Sequence, residues 1–198
     1  MGSERRSMVI PEKERRRTAF HEAGHAIVAK ALPEADTVHK VTIIPRGQAL
    51  GVTQMFPDED RLGATAQQLE TRLAVYMGGR AAEELVFNEI TTGAHNDLQQ
   101  ATRIARAMVT EYGMSDEIGP MNLSTEEATF AVPKPHSEAI SQLVDTEVRR
   151  LLEEAYLRAT RILQANHSLL TKIAEALLEK ETIDRQDFDQ LSTDIVAV

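Results

Sequence analysis

The chain has 198 residues, 42% hydrophobic and 27% charged, a length and balance that bury a core in one substantial domain or two small ones. Its net charge of −9 implies no general affinity for nucleic acid or anionic lipid, and the absence of cysteine excludes a disulfide framework and a cysteine-type zinc finger. No apolar run approaches the ~18 residues that span a bilayer, and no signal-peptide pattern opens the chain.

"MGS" at the start reads as an expression remnant, so residues 1–7 are expected to be remnant or linker and the rest a piece of something larger. Pro11 and the following "EKERRRTAFHEAGHAIVAKAL" predict one long helix. Proline suits its first position, Glu12 and Glu14 suit the positive end of its dipole, and Pro33 stops it. The basic run "KERRR" is expected on a solvated face of that helix. Residues 38–55, "VHKVTIIPRGQALGVTQM", predict two short strands around a loop. Thr65 opens a second helix, with Gln68 completing a capping box. Gly78 and Gly79 interrupt that helix as a kink or as a point of close packing.

"TTGAHND", residues 91–97, predicts a loop in which Asn96 or a neighbour caps a third helix ending near Gly113. The pattern from 114 to 135 is irregular, with Pro120, Pro133 and Pro135. A strong helical period then runs through Ile140, Val144, Val148, Leu151 and Leu152. "SLLTKIAEALLEK" adds another helix and "DRQDFDQL" a short one. The expected fold is mainly α with a small β-sheet near the N-terminus.

The first helix carries "HEAGH". His21 and His25 lie four apart, on one helix face, where two imidazoles can hold one Zn²⁺. Glu22 then points near the metal without binding it and can accept a proton from a metal-activated water, as in H-E-x-x-H metalloproteases. The bland alternative is a satisfied histidine pair. Small apolar neighbours, Ala23, Ala26, Ile27 and Val28, favour a buried helix, and Gly24 calls for a close approach. A hydrolytic zinc needs a third ligand, and His39, His95, Asp97, Glu83, Glu84, His136 and His167 are all candidates on chemistry. A metzincin is excluded, because its third histidine would fall on Ala31.

"HEAGHA", "VHKVTIIPRGQALGVT", "YMGGRAAEEL", "TTGAHNDLQQAT" and "MVTEYGMSDEIGP", in this order, closely resemble the FtsH family of ATP-dependent, membrane-anchored zinc proteases, peptidase family M41. The resemblance is strong from Thr18 to Pro120 and looser through the helical tail. It implies that the aspartate of "TTGAxNDL", here Asp97, completes a one-zinc site with His21 and His25, that Glu22 is the general base, and that Glu83 supports a ligand histidine from behind. His95 stands where a small residue is more usual; two positions from the ligand it can line the cleft or face solvent, and solvent is the expectation.

The resemblance also implies a metalloprotease domain over residues 8–198: a catalytic part with the small sheet at 8–135 and a C-terminal helical part at 136–198. Residues 38–55 would lie beside the active site, where an edge strand can bind unfolded polypeptide by β-augmentation. No "GxxxxGK[ST]" loop occurs in the chain, so ATP would act only in an AAA+ module outside it. Membrane attachment would come from N-terminal segments also outside it. The implied assembly is a homohexamer at the cytoplasmic face of the bacterial inner membrane or an organelle equivalent, this fragment being soluble. Two other readings differ in kind: a different zinc hydrolase such as an aminopeptidase, and a catalytically silent oligomerisation module holding zinc structurally.

Overall fold

A computed structural model of the chain describes residues 10–47, 49–58, 62–123 and 137–197. The expectations for residues 1–7, for 124–135 and for His136 lie outside these.

Helix α1, Glu12–Ala31, begins one place after Pro11, which occupies the cap position, and the Pro11 carbonyl accepts from the Arg15 N–H at 2.9 Å. Leu32 turns extended ahead of Pro33, which ends the helix. From Thr18 to Val28 nearly every residue is buried, so α1 is not a surface helix with one apolar face but a central one. Helices α2 (Ala66–Phe87) and α5 (His167–Lys180) pack against it, and α4 (Glu138–Ala165) lies mainly on α2.

Strands β1 (Thr37–Thr42) and β2 (Val52–Phe56) pair antiparallel, with a register shift between Val38 and Lys40. A third strand, β3 (Thr182–Asp184), was not expected from sequence and pairs on the other side of β1. Three residues are too few to display a period, and their pairing comes from a segment some 140 positions from β1, judging by Thr42 Oγ1 and Thr182 Oγ1 at 2.8 Å. The order β2-β1-β3 leaves β2 at an edge.

Helix α2 carries the expected capping box of Thr65 and Gln68 and ends at Asn88 in the left-handed conformation. It runs unbroken through Gly78 and Gly79, so these glycines mark close packing and no kink. The 91–97 segment differs from expectation. Thr91 caps a 3₁₀ turn, Thr92–Ala94, that passes directly into α3, His95–Thr110. Asn96 is therefore inside the helix, and Asp97 in its first turn; with Thr91 Oγ1 already accepting from the Gly93 N–H, α3 has no side-chain cap of its own. Ser137 caps α4, and Asp184 caps the short α6, Arg185–Leu191. Among the described residues no helix is long and apolar enough to cross a membrane.

Candidate metal centre

Two helices meet at one point. His21 and His25 come from α1, four residues apart on one face, and Asp97 comes from the first turn of α3. His21 Nε2 lies 3.0 Å from His25 Nε2 and 3.2 Å from Asp97 Oδ2, and His25 Nε2 lies 3.5 Å from the same oxygen. In a tetrahedral zinc site with bonds of ~2.0 Å the donor atoms stand ~3.3 Å apart, and these three match that spacing. They form the only such group of metal-capable side chains among the described residues.

The outer nitrogens fix what the inner ones can do. His25 Nδ1 lies 2.7 Å from the Val75 carbonyl, which can only accept, so Nδ1 is the donor. His21 Nδ1 donates likewise to Glu83 Oε1 at 2.7 Å. In neutral imidazoles both Nε2 lone pairs then point at each other and at a carboxylate oxygen. Three acceptors converging in a buried place call for positive charge among them, supplied by a proton on an Nε2 or by a metal ion. The surrounding field agrees. Burial alone would depress His21, but hydrogen bonds to Asp97 and Glu83 and the charge of Glu22 overturn it and push its pKa up to about 10. Burial likewise resists charge on Asp97, yet the charge of His25 and a hydrogen bond to His21 hold its carboxyl well below the usual range.

Space for an ion is provided by α2. A Cβ at position 79 would fall 2.5 Å from His21 Nε2 and 2.6 Å from His25 Nε2, so any residue but glycine would fill the point where the donors converge. Glu83, one helical turn further along α2, is 3% exposed and held in place from behind by the Thr91 hydroxyl, which donates to its Oε2 at 2.7 Å. The centre opens into a cleft of about 840 Å³, lined by Thr18, His21, Gly51, Thr91 and Asp97 among others.

Glu22 is buried beside this group, and its charge acts on both histidines. Its Oε2 accepts from the Thr53 hydroxyl of β2 at 2.7 Å. The remaining candidates for a third ligand are elsewhere. Glu84 accepts from the Tyr156 hydroxyl on α4, His39 meets the Phe56 ring edge-on, and His167 is exposed at the start of α5. His95 is exposed as expected, but it also lines the cleft. Sequence reasoning did not single out Thr53, Thr91 or the Val75 carbonyl. The two hydroxyls lie at the ends of quoted motifs, Thr53 closing one and Thr91 opening another, without any periodic signal, and a backbone carbonyl has none at all.

A sequence model of peptidase family M41 matches residues 8–191. The chain is 50% identical to the ATP-dependent zinc metalloprotease FtsH 4 of Sorangium cellulosum, over 96% of this chain and 31% of that protein. It is 48% identical to the ATP-dependent zinc metalloprotease FtsH of Thermobaculum terrenum and 50% identical to that of Rubrobacter xylanophilus, in each case over 96% of this chain and 30% of the relative. The chain thus spans about a third of the length of the curated relatives it matches.

Proposed function

The chain belongs to peptidase family M41, and from that premise we propose that it is the zinc-dependent endopeptidase domain of an FtsH-type protease, extending over residues 8–198. In this reading 8–135 is the catalytic part and 136–198 its C-terminal helical part. The observation that carries the proposal is the convergence of His21 Nε2, His25 Nε2 and Asp97 Oδ2, with both Nδ1 protons turned outward. These three residues would hold one Zn²⁺. Zinc bound there supplies a Lewis acid that acidifies water to a pKa of ~7 and polarises a peptide carbonyl.

The side chains do the rest. Glu22, next to the first ligand, takes the proton of the attacking water and returns it to the leaving amine. Glu83 and the Val75 carbonyl each hold one Nδ1–H, which keeps the opposite nitrogen of each ring free to bind and fixes the ring planes. An extended peptide would add to the outer edge of β2 through main-chain hydrogen bonds. Alongside that edge a groove of about 740 Å³, with Met55, Phe56, Val75, Ile104 and Tyr112 in its walls, can take apolar side chains. Main-chain recognition fits unfolded polypeptides of many sequences as substrates.

The relatives named above are described as ATP-dependent. We place ATP use in an AAA+ module and membrane attachment in N-terminal segments of the longer protein. That protein would be a homohexamer at the cytoplasmic face of the bacterial inner membrane or an organelle equivalent, with no nucleic-acid partner.

The test is zinc-edge anomalous scattering on protein purified without chelator, together with peptide hydrolysis by Glu22→Gln. One zinc per chain on His21, His25 and Asp97, with hydrolysis lost in Glu22→Gln while zinc is retained, supports the endopeptidase. A fourth saturating protein ligand and no hydrolysis in either form would instead support the silent oligomerisation module.

A further inference from the structure

Glu22 is held by strand β2 as well as by its own helix. Thr53 Oγ1–H donates to Glu22 Oε2 at 2.7 Å, and the same hydroxyl stands 3.2 Å from the Glu22 carbonyl oxygen. Two residues earlier, Gly51 covers the other carboxylate oxygen. A Cβ at 51 would fall 2.7 Å from Glu22 Oε1, 2.8 Å from Glu22 Cγ and 2.8 Å from the Thr18 methyl. Gly51 itself lines the cleft shared with His21 and Asp97. One end of β2 therefore makes a cradle: a hydroxyl that fixes one carboxylate oxygen, and a missing side chain that makes room for the other.

We infer that Thr53 is a positioning residue for the general base: its hydroxyl pins Oε2 of Glu22 so that Oε1 is presented at Gly51, toward the cleft. The inference rests on the reading of Glu22 as the base. A carboxylate on a side chain with three rotatable bonds loses reactive geometry unless something fixes it, and misplacement by about 1 Å costs up to ~100-fold in rate. Thr53 is well suited, because a β-branched residue in a strand has a restricted χ1 and its own backbone is held by the Val41 pairing. The same strand is the proposed docking edge for substrate, so base and peptide share one rigid support.

The experiment compares Thr53→Val, which keeps shape and strand propensity but removes the donor, with Thr53→Ser, which keeps the donor. Both are read with zinc loaded, on a short unstructured fluorogenic peptide, beside Glu22→Gln. We expect kcat to fall roughly 10–100-fold in Thr53→Val with KM, zinc content and melting temperature near wild type, and to recover in Thr53→Ser. A second readout needs no metal and no turnover. The side-chain carboxyl ¹³C resonance of Glu22, assigned by its disappearance in Glu22→Gln, should shift in metal-free Thr53→Val and return in Thr53→Ser. Thr53→Ala serves the same comparisons if valine disturbs the strand. Wild-type kcat and an unmoved resonance in Thr53→Val beside an inactive Glu22→Gln would overturn this inference alone. A change confined to KM, or equal loss in the serine variant, would overturn it too. Full activity in Glu22→Gln would overturn the base assignment beneath it.

Discussion

Gly24 of α1 and Gly78 of α2 lie backbone against backbone. A Cβ at 24 would collide with the Gly78 carbonyl oxygen and stand 2.7 Å from Ala82 Cβ, and one at 78 would stand 2.8 Å from the Gly24 oxygen. This crossing brings α2 close enough to α1 for Gly79 to border the histidine pair and for Glu83 to reach His21. A mid-helix glycine costs ~1 kcal/mol against alanine, and here the cost secures the approach of the two helices.

Gly24→Ala should therefore destabilise the protein although alanine is the better helix former. The atoms it would meet are backbone and a buried Cβ, which cannot swing aside. Overpacking of this kind costs about 3 kcal/mol, more than the ~1 kcal/mol of propensity gained. Thermal unfolding should show a fall in melting temperature of about 4–8 °C for a net loss near 2 kcal/mol. An unchanged or raised midpoint would mean that the helices separate without penalty.

Gly79→Ala should behave differently. The new Cβ meets the rims of two imidazoles, which can yield only by giving up their Nδ1 hydrogen bonds to Glu83 and the Val75 carbonyl, so the metal-free fold should survive with a fall in melting temperature smaller than that of Gly24→Ala. What cannot survive is the convergence of the two Nε2 atoms. Zinc affinity, measured by chelator competition, should fall by at least the ~100-fold seen for strong outer-shell perturbations. One zinc per chain at wild-type affinity would rule out Gly79 as the wall of the metal site.

Much of this was legible in the sequence, and the parts that were not have physical reasons. Helices α1, α2, α4 and α5 announced themselves by period, caps and prolines. Gly78 and Gly79 could be read as kink or contact, and only the position of Gly24 across the crossing decides between them. The i, i+4 histidines predicted their own meeting, because helix geometry alone enforces it. Which acid joins them depends on how α3 approaches α1, a long-range relationship no spacing encodes; on residue chemistry alone Glu83, Glu84 and Asp97 stayed open, and the family resemblance was what pointed to Asp97. Strand β3 was invisible because a three-residue strand exists only through its partner, β1.

Asp97 and Glu83 should separate cleanly in metal binding. Asp97 Oδ2 stands among the converging donors, whereas Glu83 spends its two oxygens on His21 Nδ1 and the Thr91 hydroxyl. Glu83→Ala should weaken zinc binding about 10–100-fold, the usual cost of losing a carboxylate behind a ligand histidine. Asp97→Ala should weaken it further, since a donor is lost and the two Nε2 atoms remain without an anion. Titration of metal-free protein with zinc checks the order. The reverse order would transfer the ligand role to Glu83.

Glu147 on α4 should make stability depend on acid pH. Its carboxylate is buried, accepting from Arg150 Nε and a terminal guanidinium nitrogen at 3.0 Å each and from the Ser115 hydroxyl at 2.8 Å, so it ties the turn after α3 to α4. The Arg150 hydrogen bonds, helped by Ser115 and opposed by burial, hold its pKa below the ordinary 4.5. A lowered folded-state value means that the ionised form stabilises the fold fully above about 4.5, where the unfolded chain is also ionised, and that this contribution disappears as pH falls through the folded value. Glu147→Gln removes the charge while keeping the shape. It should cost about 1–2 kcal/mol at pH 7, the scale of hydrogen bonds to a charged group that is otherwise buried. In urea unfolding the gap between wild type and variant should stay constant from pH 7 to about 5 and narrow progressively as pH falls below about 4.5 toward the lowered folded-state value. A gap that persists undiminished in acid would assign the effect to packing, because protonation would then have removed nothing.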